Sequence, residues 1–137
     1  MTHDWLLWGV RAAGAGHFVT LVIACFTPIP PDWESNLARL PELHRRFAVA
    51  QNFFIGATIA FCGAISLGFA PTLLGGTPGA RILCAGFALF WGGRLIVLPW
   101  LGVWPHLAGR FWKTGFVLLH VECAIYAGLF GWLAAGG

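Results

Sequence analysis

The sequence predicts an all-α membrane protein: an antiparallel up-down bundle of four transmembrane helices in one domain over residues 1–137. Hydrophobic residues make up 58% of the chain and charged residues only 9%, whereas a soluble domain carries about 25% charged residues. The mean hydropathy is +0.78. Four apolar runs lack the alternation of strands, and each is long enough to cross a hydrocarbon core of about 30 Å.

Proline and glycine set the bounds of these spans. We predict the spans, in chain order, at about 5–27, 46–69, 80–101 and 110–134. The first ends before Pro28, because proline cannot continue a helix. It has no basic region before it, so we expect it to remain as a span and not to be removed as a signal peptide. Short connections make successive spans antiparallel neighbours, and closing the bundle places the first span beside the fourth.

The basic residues predict which side of the membrane each loop occupies. Arg11 and Arg81 lie towards the side of the termini, and five others lie on the side of the first and third loops: Arg39, Arg45, Arg46, Arg110 and Lys113. Basic residues accumulate in cytoplasmic loops. We therefore expect cytoplasmic first and third loops and both termini outside.

His17 and His120 lie in the middle of the first and fourth spans, at matching depth. Each is ten residues from the end of its span on the side of the first and third loops, which is about 15 Å at a rise of about 1.5 Å per residue. Ionisable side chains are rare within spans and indicate function. Two facing histidines predict axial ligation of haem b, with Arg110 and Lys113 near its propionates.

The same residues admit other interpretations. Each histidine could form an interhelical hydrogen bond that holds the bundle in register. A metal ion would need three or four ligands, and only Cys123, close to His120, is available to join them. A third interpretation is proton transfer, with histidine and Glu122 as relay groups.

Arg94 and Glu122 are charged residues in the third and fourth spans, and we predict that they pair across the helices. His120 and Glu122 lie about 200° apart around a helix, so they cannot share one partner. One stripe of the fourth span would then carry His120 towards the first span. The opposite stripe would carry Glu122 towards the third.

Part of the chain resembles a family of small uncharacterised bacterial four-span inner-membrane proteins. The resemblance lies in residues 77–81 (TPGAR), 87–91 (FALFW) and 94–97 (RLIV), and in the fourth span, where a histidine follows a basic start and Gly131-Trp132 stands near the end. It implies the four-span fold and a bacterial inner membrane, where the basic-residue bias would make both termini periplasmic. It implies no activity.

Three functions remain open from the sequence. The first is electron transfer through haem b, to or from quinone or a partner redox enzyme. The second is a cofactor-free accessory or assembly subunit of a larger membrane complex, because the loops leave little surface for soluble chemistry. The third is a small transporter or proton-conducting element that uses Glu122 and Arg94. The formal charge of +3 is too small and too scattered for nucleic acid, so the expected surroundings are the lipid bilayer and other membrane subunits.

Overall fold

The computed structural model describes residues 4–26 and 32–137. Four long helices dominate it: α1 (Asp4–Phe26), α3 (Glu42–Gly68), α5 (Pro78–Trp100) and α6 (Gly109–Ala135). Short helices occupy the connections: α2 (Trp33–Ala38), α4 (Ala70–Leu74) and a 3-10 turn (Trp104–His106). Each long helix is long and apolar enough to cross a membrane, which confirms the predicted all-α membrane fold.

The helix bounds follow the local signals of the sequence, with one shift. α3 begins at Glu42, before the predicted start near residue 46, because its polar first turn projects beyond the apolar run. α5 begins at Pro78, close to the predicted start at about 80, and the side chain of its N-cap residue, Thr77, accepts a hydrogen bond from the Ala80 N–H at 3.3 Å. The predicted end of the first span at Thr27 lies outside the described residues.

Arg81 binds the end of the last helix. α6 ends at Ala135, and the next residue, Gly136, caps it with a φ of 98°, the left-handed conformation that glycine adopts readily. The Arg81 guanidinium donates to the carbonyl oxygens of Ala134 and Ala135 at 2.8 and 2.9 Å. A cation favours the negative end of a helix dipole. This basic residue on the side of the termini therefore has a structural partner.

The four long helices pack as two close pairs. α1 lies against α3, α5 lies against α6, and α4 contacts α1 and α5. Gly14 and Gly63 let α1 and α3 approach closely: a Cβ on Gly14 would lie 2.8 Å from the Leu67 nitrogen, and one on Gly63 would lie 3.1 Å from the Gly14 oxygen. Larger side chains join the two pairs, including Thr20 with Glu122, so α1 does lie beside α6.

Burial is uneven along the bundle. Most buried residues lie between 6 and 17 in α1, 59 and 66 in α3, 80 and 91 in α5, and 123 and 133 in α6. We call this the packed half; it lies on the side of the termini and α4. Towards the first and third loops, the described part of the chain buries only Leu98 and Leu107. We call that part the open half.

Candidate functional site

His17 lies at the centre of the packed half, with 0% of its surface exposed. The Trp91 indole N–H donates to His17 Nε2 at 3.0 Å. Since Nε2 accepts this bond, Nδ1 carries the proton and donates to the Ala13 carbonyl oxygen, one turn earlier in α1. Both ring nitrogens are therefore engaged, and the imidazole is held neutral and in one orientation.

Aromatic rings surround this imidazole. The Tyr126 ring stacks on His17 with centroids 4.3 Å apart and an interplanar angle of 10°. Trp91 and Phe130 meet the imidazole edge-on at 5.0 and 6.2 Å. We call His17, Trp91, Tyr126 and Phe130 the His17 cluster. It joins α1, α5 and α6, so it fixes how the two helix pairs meet.

Gly16 makes room for the Tyr126 hydroxyl. A Cβ at position 16 would overlap that hydroxyl oxygen and would also lie 3.6 Å from Glu122 Oε1. Tyr126 stands one turn after Glu122, and residues four apart share one face of a helix. The glycine thus allows this polar face of α6 to lie directly on α1.

Glu122 accepts hydrogen bonds from hydroxyl groups on two helices. Thr20 Oγ1 of α1 lies 2.6 and 2.7 Å from the two carboxyl oxygens. The Tyr126 hydroxyl donates to Oε1 at 2.8 Å. Glu122 is half-buried and stands at the boundary between the packed and open halves. Thr20, Glu122, Tyr126 and His17 therefore form one continuous polar and aromatic contact across the middle of the bundle.

Arg94 and Glu122, predicted to pair, have different partners in the structure. The Arg94 guanidinium carbon lies 5.6 Å from the Trp91 ring centroid and 5.9 Å from that of Phe90, within the range of a cation–π contact. Its Nε atom is buried without a hydrogen bond. Within residues 4–26 and 32–137 the ion pair closer than 4.0 Å joins Arg46 to Glu42, not Arg94 to Glu122.

One stripe of the fourth span faces a different neighbour from the one predicted. The stripe with Glu122 and Tyr126 faces α1, where it meets Thr20 and His17. The sequence determines that Glu122 and His120 point to opposite sides of α6. It does not determine which neighbour each side meets, because that depends on the rotation of the helix in the bundle.

His120 lies apart from His17. Its Nδ1–H donates to the Phe116 carbonyl oxygen at 2.8 Å, and its ring meets the Phe116 ring edge-on at 4.5 Å. In the described part of the chain, neither a hydrogen bond nor a ring contact joins the two histidines. Lys113 lies over the Trp104 ring at 5.5 Å, and Arg110 is exposed. These residues occupy the open half.

Haem ligation by His17 would require its present contacts to change. For His17 to bind iron through Nε2, the bond from Trp91 must break and the imidazole must leave its stack with Tyr126. His120 Nε2 has no hydrogen bond among the described residues. Across those residues, no group of three or more His, Cys, Asp or Glu side chains is placed to hold a metal ion. Haem ligation by His17 and His120 stays a prediction.

Comparison with protein-family models, curated proteins and solved structures found no match. The resemblance of the third and fourth spans to bacterial four-span proteins therefore stays a prediction.

Sequence reasoning missed four members of the site: Trp91, Tyr126, Phe130 and Thr20. Two carried a signal. Trp91 stands in the middle of the third span, whereas most tryptophans lie near span ends, as an interfacial belt requires. Tyr126 is the one tyrosine of the chain and follows Glu122 by one helical turn. Thr20 carried no signal, since the hydroxyl of a threonine within a helix can equally bond the backbone carbonyl one turn earlier.

Proposed function

We propose that the chain is a proton-conducting element of the membrane, and that Glu122 is its proton-carrying group. The supporting observation is that the same hydroxyl partners suit both protonation states of Glu122. As a carboxylate, Glu122 accepts bonds from Thr20 and Tyr126. As a neutral acid, it donates from Oε2 to Thr20 Oγ1, which lies 2.7 Å away, and still accepts from Tyr126 on Oε1.

Charge supports the same proposal. A carboxyl within a span is expensive to hold as an ion and is by default a candidate functional group. No described cation lies within 4.0 Å of Glu122, the short ion pair of the described region being that of Arg46 and Glu42. Glu122 can therefore gain or lose a proton without breaking an ion pair.

The position of Glu122 in the bundle supplies access from one side. The side chains of His17, Trp91 and Phe130 on the packed side are fully buried, each with 0% of its surface exposed. On the other side, the helices lead to the open half, where few side chains are buried. Protons would reach Glu122 from the side of the first and third loops, and the onward route to the side of the termini would pass the His17 cluster.

The experiment is proton flux into liposomes that contain the purified chain and a pH-sensitive dye, driven by a potassium diffusion potential. We expect flux with the wild-type chain and loss of flux with Glu122→Gln, which keeps the shape and hydrogen-bonding capacity of the side chain. Glu34→Gln, an exposed acid of α2, is the matched control and should conduct normally. Wild-type flux no greater than that of empty liposomes refutes the proposal, as does normal flux with Glu122→Gln.

A second measurement tests the acid directly. Infrared difference spectra recorded between acidic and alkaline buffer should contain the carbonyl stretch of a protonated carboxyl group. This band should disappear in Glu122→Gln and shift in Tyr126→Phe, which removes the hydroxyl at 2.8 Å but keeps the ring. If the band is the same in all three proteins, another group carries the proton.

Electron transfer through haem b is the second candidate. The observation in its favour is that His120 Nε2 has no described hydrogen-bond partner and that His120 lies in the open half, where few side chains are buried. The reduced-minus-oxidised visible spectrum of the purified chain, expressed with added haem, tests this function. A b-type α-band that weakens in His17→Ala and His120→Ala supports it, and a featureless spectrum refutes it.

We also propose a bacterial inner membrane as the location, with periplasmic termini and cytoplasmic first and third loops. The support is that more basic residues lie on the side of those two loops than on the side of the termini. The open half would then face the cytoplasm. A fluorescent-protein fusion at the C-terminus should be dark, because that fusion partner fluoresces only in the cytoplasm, whereas an alkaline phosphatase fusion should be active. The opposite pattern would invert the orientation.

A further inference from the structure

A groove of about 470 Å³ lies where α2 meets the start of α3. Its floor is formed by one face of α3: Val49, Ala50, Phe53 and Phe54. Leu37 of α2 forms its wall. The rings of Phe53 and Phe54 are 70% and 67% exposed, and no other described helix covers this face. We call it the α2–α3 groove. It belongs to the open half, but it is separate from the Glu122 site.

Two arginines stand at the mouth of the groove. Arg46 forms an ion pair with Glu42, whereas Arg45 has no ion pair among the described residues. Both lie in the first turns of α3, whose N-cap residue, Pro41, makes no side-chain capping bond. The free N–H groups of a helix start add positive potential to that of the arginines. The mouth of the groove is therefore strongly suited to an anion.

The groove combines this positive mouth with an apolar floor in the direction of the membrane. Arg45 and Phe53 are eight residues apart, about 12 Å along the helix axis. That length suits the first part of an acyl chain below a headgroup. Guanidinium groups bind phosphate oxygens through paired hydrogen bonds. An anionic amphiphile with a phosphate at one end and a hydrocarbon chain at the other is complementary to both parts.

We propose that the α2–α3 groove binds one anionic phospholipid. Its phosphate lies between Arg45 and Arg46, and an acyl chain lies against Ala50, Phe53 and Phe54. Headgroup charge gives the selectivity, and the apolar floor contributes affinity that does not depend on the headgroup. The binding site does not rest on proton conduction by Glu122, so either proposal can fail without the other.

Native mass spectrometry of the full chain in detergent tests the proposal, because it counts each bound lipid. The probes are phosphatidylglycerol and phosphatidylcholine of identical acyl chains. We expect the first phosphatidylglycerol to bind several-fold more tightly than phosphatidylcholine. Arg45→Gln should weaken phosphatidylglycerol binding about fivefold, which corresponds to about 1 kcal/mol for one basic residue at an anionic headgroup. It should leave phosphatidylcholine binding unchanged.

Two further variants separate the parts of the site. Ala50→Phe fills the groove without changing charge, so it should weaken the binding of both lipids. Arg110→Gln removes an exposed arginine on the same side of the membrane, outside the groove, and should change binding less than twofold. Circular dichroism of each variant confirms that the helices form.

Three results would overturn the assignment. The first is equal binding of the two lipids by the wild-type chain. The second is an equal loss with Arg45→Gln and Arg110→Gln, which would indicate diffuse attraction to the whole basic face. The third is displacement of phosphatidylglycerol by inorganic phosphate, which would make the mouth a site for free phosphate.

Discussion

Replacing Trp91 with phenylalanine tests whether the His17 cluster holds the two helix pairs together. The change keeps an aromatic ring in the core but removes the indole N–H that donates to His17 Nε2 at 3.0 Å. A buried acceptor left without a partner costs about 1–3 kcal/mol. The smaller ring also loses packing contacts, which adds about 1 kcal/mol. We expect Trp91→Phe to lower the free energy of unfolding by about 2–4 kcal/mol.

The assay is reversible unfolding in mixed micelles, followed by circular dichroism as the denaturing detergent is increased. Trp100→Phe is the matched control, because this tryptophan is 82% exposed. The free energy of unfolding of this surface variant should stay within about 0.5 kcal/mol of the wild-type value.

A double-mutant cycle with His17→Phe isolates the hydrogen bond from the packing loss. Hydrogen bonds between membrane helices average about 0.6 kcal/mol, with a maximum of about 1.7 kcal/mol, so we expect a coupling energy in that range. When two residues do not interact, the effects of their substitutions on the free energy of unfolding add to within about 0.3–0.5 kcal/mol. A coupling energy no larger than that would show that Trp91 and His17 do not interact, even if Trp91→Phe alone were destabilising.

Two further changes test the helix contacts. Gly14→Ala should lower the free energy of unfolding by about 1–3 kcal/mol, because its Cβ would lie 2.8 Å from the Leu67 nitrogen. In Gly9→Ala the added Cβ would have no atom within 4 Å, so this change should be neutral or stabilising. Equal effects of Gly14→Ala and Gly9→Ala in the micelle assay would contradict the close approach of α1 and α3. Arg81→Ala removes the two hydrogen bonds to the last carbonyl oxygens of α6, which should lower the stability of the final turn by about 0.5–1.5 kcal/mol. Amide hydrogen exchange in that turn should therefore be faster. Unchanged exchange there would show that the α6 end is stable without Arg81.

The fold was largely readable from the sequence, because a membrane span must satisfy its own backbone hydrogen bonds. Long apolar runs therefore have one structural solution, and the prolines and glycines between them set the breaks. The early start of α3 at Glu42 differs from the predicted start because its first turn is polar and projects beyond the apolar run. Hydropathy reports the apolar part of a helix, not its full length.

The candidate site was only partly readable. The sequence identified His17 and Glu122, since an ionisable residue within a span stands out against its apolar neighbours. Their partners depend on the rotation and separation of whole helices. Trp91 and Thr20 come from helices far apart in the chain, and Gly16 sets how closely the Tyr126 face of α6 can lie on α1.

The membrane location, the four spans and the opposite directions of His120 and Glu122 on the last helix follow from hydropathy and helical period. These are local properties of the chain, and they determine such features without reference to any neighbour. The packing of the helices, in contrast, brings His17 to Trp91 and Tyr126 and not to His120, and Glu122 to Thr20 and not to Arg94. Helix rotation in a bundle is set by the packing of side chains from several helices at once, and a single apolar run does not specify it.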